Sequence, residues 1–372
     1  MKMKFLDEFR SPAAARALAA RLADAAQAAG RPLTFMEVCG THTMAVFRHG
    51  LRSLLPPSIK LISGPGCPVC VTPVQFIDRA IALSRRSDVV VATFGDLLRV
   101  PGSTSTLERE RSAGADVRVV YSPLEALEAA AASPSETVVF LGVGFETTAP
   151  SVASCVLKAE AEGIANYKIL HAMKTMPRAM RAIVGGGGPA LDGFLCPAHV
   201  SAIIGLGAYE FLAGEYGLPC VVAGFEPLDI LMGLELIASQ AASLAPAVLN
   251  QYTRVVRPEG NRMALDIMYK VLEPRDSIWR GLGAIELSGL GLREEYVHRD
   301  ASSMDCDVED PVEPPGCICG DVLRGAAEPG ECPLFGTRCV PESPVGACMV
   351  SGEGTCAAHY KYGAGAASGA NT

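Results

Sequence analysis

The chain has 372 residues, 49% of them hydrophobic, and a formal net charge of −8. That length accommodates about two or three domains, each with its own core. The acidic balance and the lack of any long basic run argue against a nucleic-acid surface, and no apolar stretch reaches the roughly 18–20 residues that span a bilayer.

The chain opens with Lys2 and Lys4, but Asp7 and Glu8 follow and no apolar segment stands behind them. No secretory signal is read there, and a soluble, cytoplasmic protein without membrane contact is expected. A helical pattern over 13–29 then leads to an apolar run over 33–38. The alternation continues with a helix at 43–54, a strand at 59–62, a helix at 74–86 and strands at 89–94 and 117–121. Next come a helix at 123–132, a strand at 137–143, a helix at 150–162, strands at 167–170, 194–195 and 220–223, and a helix at 228–243. Short apolar runs alternating with amphipathic helices predict an α/β fold of doubly wound parallel sheets. So many strands suit two such domains better than one, and the expected divisions are 1–122 and 123–300, with the crossing near Pro123.

Beyond about residue 300 the character changes. Asp305, Asp307, Glu309, Asp310 and Glu313 form an acidic approach to a stretch crowded with Gly, Pro and Cys. Such a segment has too little side-chain volume for a core, and a metal centre is the usual substitute. The reading is a small iron–sulfur domain at 301–362, then a Gly/Ala/Ser-rich tail at 363–372 expected to be disordered.

Thirteen cysteines are present, and seven of them fall between Cys306 and Cys356. In a reducing compartment they read as metal ligands or redox thiols. Six are spaced as Cys317, Cys319, Cys332, Cys339, Cys348 and Cys356. Four thiolates complete a [4Fe–4S] cubane, which leaves two. We assign Cys317, Cys332, Cys339 and Cys356 as cluster ligands and Cys319 with Cys348 as a spare dithiol. Structural zinc is the alternative, although the run lacks the paired Cys-x₂₋₄-Cys knuckles zinc favours.

Two further motifs sit where strands end and helices begin, the edge at which open parallel sheets bind ligands. One is Cys39-Gly40-Thr41-His42-Thr43, which offers a thiol and an imidazole to one metal; the alternative is a buried thiol. The other is Gly64-Pro65-Gly66-Cys67-Pro68-Val69-Cys70, with the spacing of a dithiol that cycles with a disulfide. A helix N-terminus at such an edge favours the thiolate. Gly142–Thr148 has the position of a phosphate cradle but lacks the P-loop lysine, and nucleotide binding is not predicted from it. His199 is either a donor behind a site or a satisfied loop residue. Cys155 and Cys220 read as packed hydrophobes, and Cys196 and Cys306 are left open.

Together these motifs resemble the HypD family of hydrogenase maturation factors. The resemblance also takes in Gly144-Phe145-Glu146-Thr147-Thr148, His199-Val200-Ser201, Cys332-Pro333-Leu334-Phe335-Gly336 and Cys348-Met349-Val350-Ser351, and it covers nearly the whole chain. It implies two α/β domains and a C-terminal [4Fe–4S] domain. It further implies assembly of the Fe(CN)₂CO unit of [NiFe]-hydrogenases with a small HypC-type chaperone. HypE would supply cyanide, and the hydrogenase large subunit would be reached through the chaperone. On this basis Cys39 would hold the assembly iron together with a cysteine of the chaperone. Cys67 and Cys70 would relay redox equivalents, with Cys319 and Cys348 as the dithiol beside the cluster. Thiolate suits such iron as a soft ligand. One departure is Cys196-Pro197-Ala198-His199, where the family pattern has Ala-Pro-Gly-His. A stand-alone iron–sulfur thiol–disulfide oxidoreductase is the other class of function, but it has no need of Cys39.

Overall fold

In the computed structural model, which describes residues 7–186 and 188–363, several helices start at a side chain that caps them. Ser11, Thr106, Ser122 and Asn261 each accept a backbone N–H from three residues further on, at the starts of Pro12–Ala28, Leu107–Ser112, Pro123–Ala132 and Arg262–Val271. Each cap contributes about 1 kcal/mol. No described helix is long and apolar enough to cross a membrane. Apart from Gly363, the Gly/Ala/Ser-rich tail lies outside the described residues.

All eight apolar runs form strands: β1 (Leu33–Glu37), β2 (Ile59–Ser63), β3 (Val89–Thr93), β4 (Val117–Val119), β5 (Thr137–Gly142), β6 (Tyr167–His171), β7 (Gly193–Pro197) and β8 (Cys220–Ala223). Three strands were not expected: β9 (Val248–Asn250) and the antiparallel hairpin β10 (Leu272–Trp279) with β11 (Gly283–Leu292).

The strands build two parallel sheets, one of five in the order β2-β1-β7-β8-β9 and one of four in the order β4-β3-β5-β6. This pairing corrects the expected division at 122/123. β3 and β5 lie on either side of Pro123 yet are hydrogen-bonded neighbours, and β7 pairs with β1 rather than with β6. The four-stranded sheet is therefore an insertion between β2 and β7. The chain leaves the first sheet after two strands and returns to finish it.

Alternation along the strands assigns the faces. Leu33, Phe35, Leu195, Val221 and Ala223 face one core with helices Pro12–Ala28 and Pro227–Ser243. Val90, Ala92, Val138, Phe140 and Ile169 face another. Met36, Phe194, Cys196 and Val222 of the first sheet, and Val91, Val139 and Leu141 of the second, share a third core. That shared core also takes in Val322, Leu323, Ala347, Met349, Val350 and Ala357, so the Gly/Pro/Cys-rich C-terminal segment packs onto the body. Apolar burial of about 25 cal/mol per Å² holds it there, although the segment contributes no strand of its own.

Candidate functional site

In each sheet the strand order reverses beside its first strand, between β1 and β7 and between β3 and β5. Such switch points leave a crevice at the strands' carboxyl ends, where ligands bind. Cys39 lies just past the end of β1, and His199 lies just past the end of β7. The two meet in that crevice, with Cys39 Sγ 3.6 Å from His199 Nε2.

The Cys39 loop is fixed from below. Glu37 is 1% exposed. Its Oε2 accepts the Cys39 N–H at 3.1 Å, and its Oε1 accepts the Thr43 hydroxyl. Burial pushes the Glu37 carboxyl up to about 7, against the pull of those donors and of the Ser63 hydroxyl. The C-terminal segment closes the loop from above, where the Thr41 hydroxyl donates to Glu353 Oε1 at 2.7 Å.

Cys39 occupies the N-cap position of the helix Gly40–Arg48 without a side-chain capping hydrogen bond, and the nearby N–H groups of His42 and Thr41 draw its pKa down only in part. Burial outweighs them and pushes the thiol up to about 12. The expectation of a ready thiolate is therefore corrected for the free chain. A soft cation would have to displace the proton on binding, as metals do at cysteine sites. Beside it, burial lowers the His199 pKa, so the imidazole keeps a lone pair at neutral pH.

His42 is placed differently from the pairing its spacing offered. Its Nε2 donates to the carbonyls of Ala223 at 3.1 Å and Gly224 at 3.0 Å, committing that nitrogen to the end of β8. The imidazole at the sulfur is that of His199. Phe225 links the two rings, its centroid 4.9 Å from His42 and 5.0 Å from His199.

The loop after β2 touches the Cys39 loop backbone to backbone. Gly40 N–H donates to Gly66 O at 3.1 Å. A Cβ on Gly66 would lie 2.2 Å from Cys39 N, so glycine is what lets the loops approach. Immediately after it, Cys67 and Cys70 are joined as a disulfide with Cα atoms 5.3 Å apart. Both are buried, at 4% and 0% exposure. The helical turn Pro68–Val71 packs on Ala347–Met349, and Cys70 Sγ lies 3.9 Å from Ala347 O, next to Cys348.

Among the described residues, no three His, Cys, Asp or Glu side chains gather as they would around a single ion. Six cysteines, 317, 319, 332, 339, 348 and 356, instead line one cavity walled by Ile318, Val322, Phe335 and Met349. Cys319 and Cys348 sulfurs are 2.8 Å apart on its buried side. Hydrogen bonds from Cys317 and Cys348 hold the Cys319 thiol low, while those same contacts and burial raise the other two. Cys339 Sγ accepts the Val345 N–H at 3.3 Å. An apolar wall, several thiols and backbone donors to sulfur are the lining a thiolate-bound cluster requires.

The remaining motifs are absorbed structurally. Glu146 Oε1 accepts the Met176 N–H at 2.9 Å, and Lys174 N–H donates to Gly144 O, so the Gly142–Thr148 loop is tied to the next crossover. Cys155 is buried in its helix, and Cys196 and Cys220 are buried on neighbouring strands. Cys306 is partly exposed. The sequence did not single out Glu37 or Glu353, and nothing local marks Glu353 as a partner of Thr41.

A family model described as "HypD: Hydrogenase formation hypA family" matches residues 13–363. The hydrogenase maturation factor HypD of Rhodobacter capsulatus is 46% identical over 374 residues, covering 97% of this chain and 98% of its own. The hydrogenase expression/formation protein HupD of Azotobacter chroococcum is 46% identical over 369 residues, 97% of each chain. HypD of Escherichia coli K12 is 43% identical over 366 residues, 97% of this chain and 98% of its own. Matched almost end to end at these identities, the chain belongs to the HypD family of hydrogenase maturation factors.

Proposed function

We propose that the protein is a redox-active scaffold on which the Fe(CN)₂CO unit of a [NiFe]-hydrogenase is assembled. A HypC-type chaperone shares the iron, HypE supplies cyanide, and the chaperone carries the product to the hydrogenase large subunit. The observation that carries this reading is one continuous line of thiols. Cys39 and His199 sit in the switch-point crevice, the Cys39 loop touches the Cys67–Cys70 loop, and that loop touches the segment bearing Cys348.

In this reading Cys39 Sγ binds the cargo iron as thiolate, and His199 takes up the released proton at Nε2. His42 holds the Gly224 loop and, through Phe225, the orientation of His199. Cys317, Cys332, Cys339 and Cys356 hold a [4Fe–4S] cluster, which supplies single electrons when bound. Cys319 and Cys348 exchange with the Cys67–Cys70 disulfide. One thiolate attacks, a mixed disulfide forms, and the second thiol resolves it, so that two electrons and two protons pass from one pair to the other. Burial of Cys67 and Cys70 favours this internal partner over an external one.

Serine substitution tests the assignment. After anaerobic reconstitution, Cys319→Ser and Cys348→Ser are expected to keep the cluster's visible absorption. Serine at 317, 332, 339 or 356 is expected to abolish it. The reverse pattern would sink the division of the six thiols.

A further inference from the structure

The tip of the β10–β11 hairpin enters between the two thiol motifs. Arg280 N–H donates to Val71 O at 2.9 Å, one residue beyond Cys70. On the other side, a Cβ on Gly281 (φ +82°) would lie 2.5 Å from Gly320 Cα, next to Cys319. Arg280 is thus held against both loops, and it lines a cavity with Cys317, Cys319, Glu313 and Arg324.

Its side chain is unusual. Arg280 is 5% exposed, and neither Nε nor Nη2 meets a hydrogen-bond acceptor among the described residues. Glu313 Oε1 approaches Nε at 3.5 Å, but that carboxylate's side chain is 55% exposed. Arg324 is paired with Asp321. A buried guanidinium with two nitrogens lacking an acceptor is costly unless negative charge faces it. Besides the exposed Glu313 and the Asp321 already paired with Arg324, its cavity offers the sulfurs of Cys317 and Cys319, which carry negative charge once they bind metal as thiolates.

We propose that Arg280 is a positioning residue for the sulfur centre, its guanidinium setting how readily a cluster held by the neighbouring cysteines accepts an electron. This rests on the cluster assignment above. Reduction adds one negative charge to the centre and moves no proton; in a titration the electron comes from dithionite, which is oxidised to sulfite. Cluster potentials follow net charge and hydrogen bonds to sulfur, and a cation in a low-dielectric site lowers the cost of the added charge.

The test is a mediated potentiometric titration of the reconstituted full chain, read by EPR of the reduced cluster. At the potential where the wild type is half reduced, Arg280→Gln is expected to lower the reduced-to-oxidised ratio about tenfold, which is about 59 mV for one electron. Arg280→Lys keeps the charge but loses the planar fork, so its loss is expected to be smaller. Glu313→Gln, an exposed substitution that removes the opposing charge, is expected to raise the ratio about twofold. Arg280→Gln that loads a cluster with an unchanged ratio would overturn the proposal. Should that variant fail to load, unchanged ratios in both Arg280→Lys and Glu313→Gln would overturn it equally. A wild-type chain that takes up no cluster would instead remove the assignment beneath it.

Discussion

The contact between the Cys39 and Cys67 loops makes a sharp quantitative prediction. Gly66→Ala places a methyl carbon 2.2 Å from Cys39 N, 2.3 Å from Cys39 Cα and 2.6 Å from Val38 C. All three are backbone atoms, so no rotamer change relieves the overlap. The loops must separate by about 1 Å to restore van der Waals contact. That would break the Gly40 N–H to Gly66 O bond and pull Cys39 N from Glu37 Oε2. Overpacking costs about 1–3 kcal/mol, and each lost hydrogen bond adds about 1 kcal/mol, for a total of about 3–5 kcal/mol. Gly64→Ala is the control. Its Cβ would meet the Met36 Sδ at 2.7 Å and Val38 Cγ1 at 3.1 Å, and a methionine chain can move aside at about 1 kcal/mol. Urea unfolding followed by the fluorescence of Trp279, the single tryptophan, measures both. Gly66→Ala within about 0.5 kcal/mol of wild type, or Gly64→Ala costing as much, would refute the reasoning.

Glu146 makes stability fall with rising pH. Burial raises its carboxyl from 4.5 to about 7, so between those values the unfolded chain has lost the proton and the folded chain has kept it. The unfolded state binds fewer protons, and stability drops across that window by up to about 3 kcal/mol. Glu146→Gln keeps the acceptor for Met176 N–H and is expected to flatten that slope and raise the urea midpoint at pH 8; an unchanged slope would count against it. Arg254→Ala strips the bidentate partner from Asp229, which is 0% exposed, and leaves the Gln251 amide on it among the described residues. The expected loss is about 3 kcal/mol, partly recovered by adding Asp229→Asn, as checked by a double-mutant cycle in urea.

Strand positions were legible because β1 to β8 are short and largely apolar, with β3, β7 and β8 buried throughout. What the runs do not encode is partnership. Whether the strand at 137 joins the one at 89 or begins a new sheet depends on contacts some fifty residues apart, and so the insertion of one sheet into the other went unread. The β10–β11 hairpin was illegible for a different reason. β10 carries Glu273, Pro274, Arg275 and Asp276, and β11 carries Gly283, Gly289 and Gly291, so neither shows clean alternation. β9 is three half-buried residues. The cysteine motifs stood out because their spacing is local. His199 was marked only as a donor behind a site or a satisfied loop residue, and neither its pairing with Cys39, 160 residues away, nor that of Glu353 with Thr41, 312 residues away, was legible, because only the sheet order and the docking of the C-terminal segment bring them together. Sequence position placed a helix N-terminus under Cys39, but burial, which overrides it, is a property of the whole fold.

The central claim is that Cys39 holds the iron being built. An infrared spectrum of the chain purified anaerobically with its HypC-type partner, from cells that make the cyanide donor, tests it most directly. The account predicts cyanide and CO stretching bands in the wild-type complex and their loss in Cys39→Ala, with the two proteins still associated. Bands that persist undiminished in Cys39→Ala, or that are absent from an iron-loaded wild-type complex, would contradict it.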